Sequence, residues 1–170
     1  MRKAIGKSVN PVKTIARIGV FSALAFVSSA FLAIPYPGGG YFSFGDAFIL
    51  LSSFLFGPFV GASVGMLSGA CSDMMLASFA YIPFTLLAKA ALGLCAGFAY
   101  KAKGKGVKLL LLFAGPALQV LAYLVSYYVF YGVGGMAHSY FDLIQSFGCL
   151  LLALLLDLGI HKALWKRHIP

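Results

Sequence analysis

A single lysine within a long apolar stretch is the strongest candidate for chemistry in this sequence. Lys89 lies in the middle of the apolar segment 80–100. If that segment is a membrane-spanning helix, ten residues at ~1.5 Å each place the lysine ~15 Å below the outer surface. An ionisable side chain at such a depth is costly and therefore marks a functional site. Two interpretations stay open: Lys89 binds a ligand, or it pairs with an aspartate as a structural lock.

Polar side chains recur at helical spacing on two later apolar segments. Gln119, Tyr123 and Tyr127 are four residues apart, and Asp142 and Gln145 share one flank of the last segment. Side chains three or four residues apart lie on one face of a helix. Three helices could therefore aim these groups into one cavity that opens outward. The predicted binding residues in the membrane are Lys89, Gln119, Tyr123, Tyr127, Asp142 and Gln145.

Two loops carry aromatic side chains that suit a lid over such a cavity. The loop "IPYPGGGYFSFGD" contains Tyr36 and Tyr41, and the loop "MAHSYFD" places His138 close to Asp142. Aromatic rings above a flat heterocycle, with a few polar groups that set its orientation, are typical of small-ligand pockets. We therefore add Tyr36, Tyr41 and His138 to the predicted binding residues, although a loop histidine is often simply solvated.

Catalytic motifs are missing from the sequence. It has no Walker A, HExxH or GxSxG pattern, and its three cysteines are scattered through apolar segments without metal-ligand spacing. Glutamate is absent, and the four aspartates are far apart in sequence. We therefore expect no enzyme activity, no ATP hydrolysis, no cofactor and no metal site in this chain.

Composition indicates an integral membrane protein with one all-α domain, residues 1–170. The chain is 61% hydrophobic and only 10% charged, more apolar surface than a soluble core of this size can bury. Prolines and glycines divide it into six predicted helices. These cover about 14–34, 46–56, 58–72, 80–100, 107–131 and 141–162. The second and third are short, so a re-entrant pair is an alternative to two full spans.

The charges predict the orientation of this bundle. The formal net charge is +9, and all basic residues except Lys89 lie on one side if the six segments alternate. The positive-inside rule then places both termini in the cytoplasm. The excess charge indicates topology and contact with lipid, and not a nucleic-acid partner.

Small residues dominate two of the predicted helices. A row of glycines at four-residue steps lines the third: Gly57, Gly61, Gly65 and Gly69. Small residues let helices approach closely in lipid, so we assign this row a structural role. Asp73 follows the row and is expected to order the outer loops. Asp46 begins the second helix, where an N-cap would explain it. The first helix is also rich in small residues and can pack inside the bundle or against another membrane protein.

One long stretch of the sequence resembles a known family. The segment "FSFGDAFILLSSFLFGPFVGASVGMLSGACSD" is similar to the membrane-embedded substrate-binding (S) components of energy-coupling factor (ECF) vitamin transporters. The resemblance rests on a Gly-Asp pair, a Gly-Pro break, the glycine row and a following aspartate. These residues are Gly45, Asp46, Gly57, Pro58, Gly61, Gly65, Gly69 and Asp73. Chain length, six helices and cytoplasmic termini agree with it.

The resemblance implies a transporter subunit in a bacterial cell membrane. Such a subunit captures a vitamin from outside and docks through its first helix on a transmembrane coupling subunit, which two cytoplasmic ATPases serve. The expected docking residues are Gly19, Ala23, Ala25, Ser29 and Ala30. A vitamin B6 form or hydroxymethylpyrimidine ranks first as the ligand, pantothenate second and riboflavin third. The alternatives are a stand-alone secondary transporter and a ligand-free membrane assembly protein.

Overall fold

The computed structural model describes residues 10–32, 34–36 and 40–166, which form a helical bundle with one short hairpin. The helices are α1 (Pro11–Phe31), α2 (Gly45–Phe56), α3 (Pro58–Met75), α4 (Ile82–Lys101), α5 (Lys105–Tyr131) and α6 (Ser139–Lys166). Strands β1 (Ile34–Tyr36) and β2 (Gly40–Phe42) pair antiparallel, with Ile34 opposite Phe42. Two 3-10 turns, Phe79–Tyr81 and Val133–His138, precede α4 and α6.

The helix boundaries follow the predicted punctuation closely. Asn10 caps α1 by accepting a hydrogen bond from the Val12 amide at 3.1 Å, and Pro11 occupies the first turn, where a missing N–H costs nothing. Gly57 separates α2 from α3 with φ at 101°, a conformation that a side chain would strain. The hairpin is the element that the sequence did not predict, since its residues were expected to form an irregular loop.

Helix α2 is short because it lies inside the bundle. It contacts α1, α3, α4 and α6, and its Ile49 and Leu50 side chains are fully buried. The hydroxyls of Ser52 and Ser53 donate hydrogen bonds to the Ile49 carbonyl oxygen at 2.7 and 3.0 Å. Both buried hydroxyls are therefore hydrogen-bonded within the helix. In the described part of the chain, four helical segments are long and apolar enough to cross a membrane, and α2 is not one of them.

Helices α3 and α4 pack antiparallel, with the glycine row of α3 against Gly93, Gly97 and the backbone at Lys89 of α4. A Cβ on Gly65 would lie 2.7 Å from the Lys89 carbonyl oxygen, and one on Gly93 would lie 2.5 Å from the Ala62 amide nitrogen. Such distances leave no room for a side chain, so the two backbones touch. The opposed positions are 57 and 97, 61 and 93, 65 and 89, and 69 and 85.

A polar cluster lies at the end of the bundle that the charges predict to be cytoplasmic. This Tyr100 cluster consists of Tyr100, Lys108, Asp157 and His161. Tyr100 donates a hydrogen bond to Asp157 Oδ2 at 2.7 Å, and its ring stacks on Phe54 with 4.1 Å between ring centroids. The Lys108 ammonium lies 4.4 Å from the centroid of the Tyr100 ring. His161 Nε2 is 3.3 Å from Asp157 Oδ1, because side chains four residues apart lie on one face of a helix.

We expect Tyr100→Phe to lower the free energy of unfolding by about 1–3 kcal/mol, because it leaves a buried carboxylate oxygen without its donor. The phenyl ring keeps the stacking on Phe54, so the loss reports the hydroxyl alone. Thermal unfolding of the detergent-solubilised chain measures the change. Tyr128→Phe, at a tyrosine that is 56% exposed on α5, is the control and should leave the midpoint where it is. Equal midpoints for both variants would contradict the role given to this hydrogen bond.

Candidate binding site

One cavity opens between the helices at the end opposite the Tyr100 cluster. It encloses about 680 Å³ of empty space, its open mouth included. Helices α1 to α6 all contribute to its lining, together with the turn before α4. Serines, tyrosines and charged side chains predominate in that lining, which is unusual within a bundle of such apolar composition. A concave site where several polar groups converge is a candidate binding site for a small polar molecule.

The floor of the cavity is an ion pair between Lys89 of α4 and Asp46 of α2. Both side chains are buried, and the aspartate is completely so. Gln119 of α5 donates a second hydrogen bond to Asp46, from Nε2 to Oδ2 at 2.6 Å. The carboxylate is therefore held from two helices at once, which offsets part of the cost of removing both charges from water.

Gln145 of α6 connects this floor to the chain that leaves the hairpin. Its Nε2 donates to Asp46 Oδ2 at 3.2 Å, while its Oε1 accepts from the Ser43 amide at 2.8 Å. Ser43 follows β2 directly, and Ser29 of α1 contacts its hydroxyl at 3.2 Å. The Gln145 side chain thus connects the Lys89–Asp46 ion pair to the loop at Ser43. A displacement of the ion pair would therefore also move this loop, and the reverse.

Aromatic side chains form the walls above the floor. The Tyr123 hydroxyl donates to Thr85 Oγ1 at 3.4 Å, and the Lys89 ammonium lies 5.7 Å from the centroid of the Tyr123 ring. Tyr81 and Tyr127 meet edge to face with 6.2 Å between centroids. The three tyrosines can therefore pack against the faces of an aromatic ring, while the Lys89–Asp46 pair below can form hydrogen bonds with the polar edge of that ring.

Two further carboxylates line the cavity. Asp73 at the end of α3 and Asp142 in the first turn of α6 are each 5% exposed. Asp73 was predicted to order the outer loops, and this stays a prediction, because the 2.7 Å hydrogen bond from the Ser78 amide goes to its backbone carbonyl and not to its carboxylate. Its side chain also belongs to the cavity lining.

The structure brings most of the predicted binding residues together. Those that line the cavity are Lys89, Tyr123, Tyr127, Asp142 and Gln145. Gln119 is fully buried below the floor and acts there through Asp46. His138 bonds through Nδ1 to the Gly135 carbonyl oxygen at 2.8 Å and packs beside the Tyr127 ring, outside the lining. The side chains of Tyr36 and Tyr41 lie outside the described residues.

The interpretation of Asp46 as a helix cap was wrong. Phe44 holds the N-cap position of α2 and makes no side-chain cap, whereas Asp46 points inward to Lys89. A signal for this pairing was present: a buried lysine needs a counter-charge, and the chain has four aspartates to provide it. Sequence reasoning also missed Ser43 and Thr85, whose small polar side chains carry no periodic signal.

The residues expected to dock on a coupling subunit divide between two faces of α1. Ala25 is fully buried, and Ser29 bonds to Ser43 beside the cavity. Ala25 therefore packs within the chain and was wrongly placed on a docking surface, whereas Ser29 is half-buried and lines the cavity. Gly19 and Ala23 are exposed, and Ala30 is half-buried.

Comparison with known proteins shows the family of this chain. The family model for the S component of ECF-type riboflavin transporters matches residues 9–156. A protein of Pyrococcus woesei, described as "Uncharacterized protein in gap 3'region", is 33% identical over 129 residues, which are 74% of this chain and 86% of that protein.

A solved structure shares the fold. It is described as "Structure and mechanism of the S component of a bacterial ECF transporter" and superposes with a TM-score of 0.74. The match covers 91% of this chain and 99% of the solved one at 22% sequence identity. A polar cavity within a membrane bundle of this fold, and a family match along most of the sequence, lead to one conclusion. The chain belongs to the ECF-type riboflavin transporter S component family, whose members are membrane-embedded transporter subunits.

Proposed function

We propose that this chain is the substrate-binding subunit of an ECF importer and captures one small water-soluble vitamin in the cavity above Lys89. The observation that carries the proposal is the cavity itself: a charged floor and tyrosine walls, open at the end opposite the Tyr100 cluster. Polar and ionisable groups within a membrane bundle are costly, so a cavity lined by many of them is by default a functional site. Family and fold support the same role.

Riboflavin becomes the first candidate ligand, ahead of vitamin B6 forms and hydroxymethylpyrimidine. The family model named for riboflavin transporters supports this order, which reverses the ranking drawn from the residues alone. Three tyrosines line the cavity and suit the faces of a fused ring system. The floor offers donors from Lys89 and acceptors from the carboxylates, which suits the polar edge of a flavin or a pyrimidine.

The proposed partners are a transmembrane coupling subunit and two cytoplasmic ATPases in a bacterial cell membrane. Family membership supports association with an ECF transporter, and the bacterial origin of the structural neighbour supports the location. The exposed small residues Gly19 and Ala23 of α1 would allow close backbone approach by a partner helix. We place the docking surface there and no longer at Ala25 and Ser29.

One observation favours a second candidate, a ligand-free assembly protein. Lys89 is tied to Asp46, as a purely structural lock would require. The lock does not account for the rest of the lining, because an ion pair needs one acid and one base, whereas Asp73 and Asp142 add two more carboxylates and Asp142 Oδ2 has no hydrogen-bond partner among the described residues. Binding measurements separate the two candidates.

The test is binding of riboflavin, pyridoxine, hydroxymethylpyrimidine and pantothenate to the chain in lipid nanodiscs. Native mass spectrometry of the freshly purified chain first shows whether a vitamin copurifies. We expect one vitamin to bind at one molecule per chain. Tyr127→Leu should weaken vitamin binding by about fivefold, since an aromatic contact contributes roughly 1 kcal/mol beyond its buried area.

Tyr128→Leu is the matched control, because Tyr128 is the next residue on α5 but is 56% exposed. Its affinity should equal that of the unchanged chain. If no vitamin copurifies and none binds when added, the capture function is wrong and the assembly protein is favoured.

A further inference from the structure

We propose that the cavity accepts its vitamin only in an unphosphorylated, non-acidic form. The ligand presents hydroxyl, N–H or cationic donors, and no carboxylate or phosphate, to Asp73 and Asp142. This inference rests on the proposed capture function and states the chemical class of ligand that the site takes. It also distinguishes between candidate ligands that the fold alone does not separate, such as riboflavin, which has no acidic group, and pantothenate, which has a carboxylate.

The charges around the cavity are unbalanced. Within the described lining, Asp73 and Asp142 are the acids and Lys89 is the one base. Asp46 lies directly below and forms an ion pair with that lysine. Carboxylates therefore outnumber ammonium groups by two in the cavity and its floor. His138, the nearest other base on α6 and its preceding turn, packs beside Tyr127 and does not reach the lining.

One carboxylate oxygen is left for a ligand to satisfy. Asp142 Oδ2 is buried and has no hydrogen-bond partner among the described residues, although Tyr127 interacts with the same carboxylate. An ionised carboxylate only accepts hydrogen bonds, and a buried acceptor without a donor is costly. The group that completes this site is therefore a donor, such as a sugar-like hydroxyl, an imide N–H or a protonated amine.

The same carboxylates repel an acidic ligand. Two like charges a few ångströms apart repel far more strongly in a partly dry site than in water, and Lys89 is already engaged by Asp46. A phosphate group adds up to two negative charges. We therefore expect a phosphorylated vitamin to bind at least about a hundredfold more weakly than its unphosphorylated form. Since each tenfold change in the dissociation constant corresponds to 1.4 kcal/mol, this is a repulsion of about 2.8 kcal/mol.

The experiment compares matched ligand pairs on the full chain in nanodiscs. The pairs are riboflavin with flavin mononucleotide, pyridoxine with pyridoxine 5′-phosphate, and hydroxymethylpyrimidine with its monophosphate; pantothenate is a fourth, acidic probe. The measured quantity is the ratio of dissociation constants within whichever pair binds. Asp142→Asn and Asp73→Asn remove one charge each at nearly constant shape, and each should narrow that ratio by about tenfold.

Asp157→Asn is the matched control, because Asp157 is a buried aspartate on the same helix α6 but belongs to the Tyr100 cluster. It should leave the ratio unchanged. Equal or tighter binding of a phosphorylated form, or of pantothenate, by the unchanged chain overturns the inference and leaves the capture function intact. Failure of every unphosphorylated and acidic probe to bind overturns both. The unchanged chain alone decides the main question, so a variant that does not fold removes nothing from the test.

Discussion

Lys89→Met is expected to destabilise the folded chain by about 3–5 kcal/mol, because it leaves the carboxylate of Asp46 buried without its counter-charge. Asp46 is fully buried, and a methionine supplies no charge or donor in place of the ammonium. The hydrogen bonds from Gln119 and Gln145 remain, but neutral amides replace only part of a lost ion pair. Unfolding of the detergent-solubilised chain by a denaturing detergent measures the loss.

The double variant Lys89→Met/Asp46→Asn is expected to recover most of that stability, since removing both members of a buried ion pair is often close to neutral. It also divides the two roles of Lys89. If the double variant folds but no longer binds the vitamin, the lysine is a ligand-binding group. If it binds with unchanged affinity, Lys89 is only a lock between α2 and α4. A single variant as stable as the unchanged chain would contradict the energetic role of the pair.

Gly65→Leu is expected to abolish folding, because even the first carbon of a side chain there would lie 2.7 Å from the Lys89 carbonyl oxygen. That atom is backbone in the facing helix and cannot turn aside. Gly93→Leu meets the same obstacle from α4, where the Ala62 amide nitrogen lies 2.5 Å from the added carbon. The milder Gly65→Ala should cost about 1–3 kcal/mol, as overpacking of a well-packed core does.

Gly148→Leu is the control for both variants, since an added Cβ on this exposed glycine of α6 has nothing within 4 Å. It should express and elute as a single monodisperse peak in fluorescence-detected size-exclusion chromatography, whereas Gly65→Leu and Gly93→Leu should aggregate or disappear. Recovery of Gly65→Leu with normal elution and normal vitamin binding would show that α3 and α4 are not held in contact here.

The approximate bounds of the helices could be predicted from the sequence, because proline and glycine residues mark several of the helix ends. Gly57 and Pro58 separate α2 from α3 where the break was predicted, because glycine adopts a positive φ and proline removes a donor. The start of α1 was predicted three residues late, at about 14, although Asn10 and Pro11 supply a cap and a first turn. The hairpin could not be predicted in this way. Ile34 of β1 pairs with Phe42 of β2, and three-residue strands give too short a pattern to distinguish pairing from an irregular path.

The site was predictable where depth alone made a residue conspicuous. Lys89 stood out because a charge in an apolar helix has few explanations, and it does line the cavity. Asp46 was misread because its position near a helix start has a simple local explanation. Its actual partners come from α4, α5 and α6, and such long-range contacts leave no trace in local spacing.

The same limit applies to the small residues of α1 and α4. Sequence periodicity groups Ala25 with its neighbours but cannot say whether that flank faces the bundle or another protein. Gly93 and Gly97 repeat the four-residue step of α3, yet the complementary row becomes meaningful only when α3 and α4 are known to lie antiparallel. Which helices pack against each other depends on the tertiary structure, and the residue pattern of a single helix does not identify its partner.

The opposition of Gly65 and Lys89 limits how this protein can be re-engineered or diversified. The residue that forms the floor of the cavity is also the residue whose backbone touches the facing helix. Exchanging Lys89 to suit a different ligand therefore alters a helix interface and a recognition group in one step. New specificities are more accessible at Tyr123 or Tyr127 on α5, whose side chains line the same cavity from a helix outside the glycine contact.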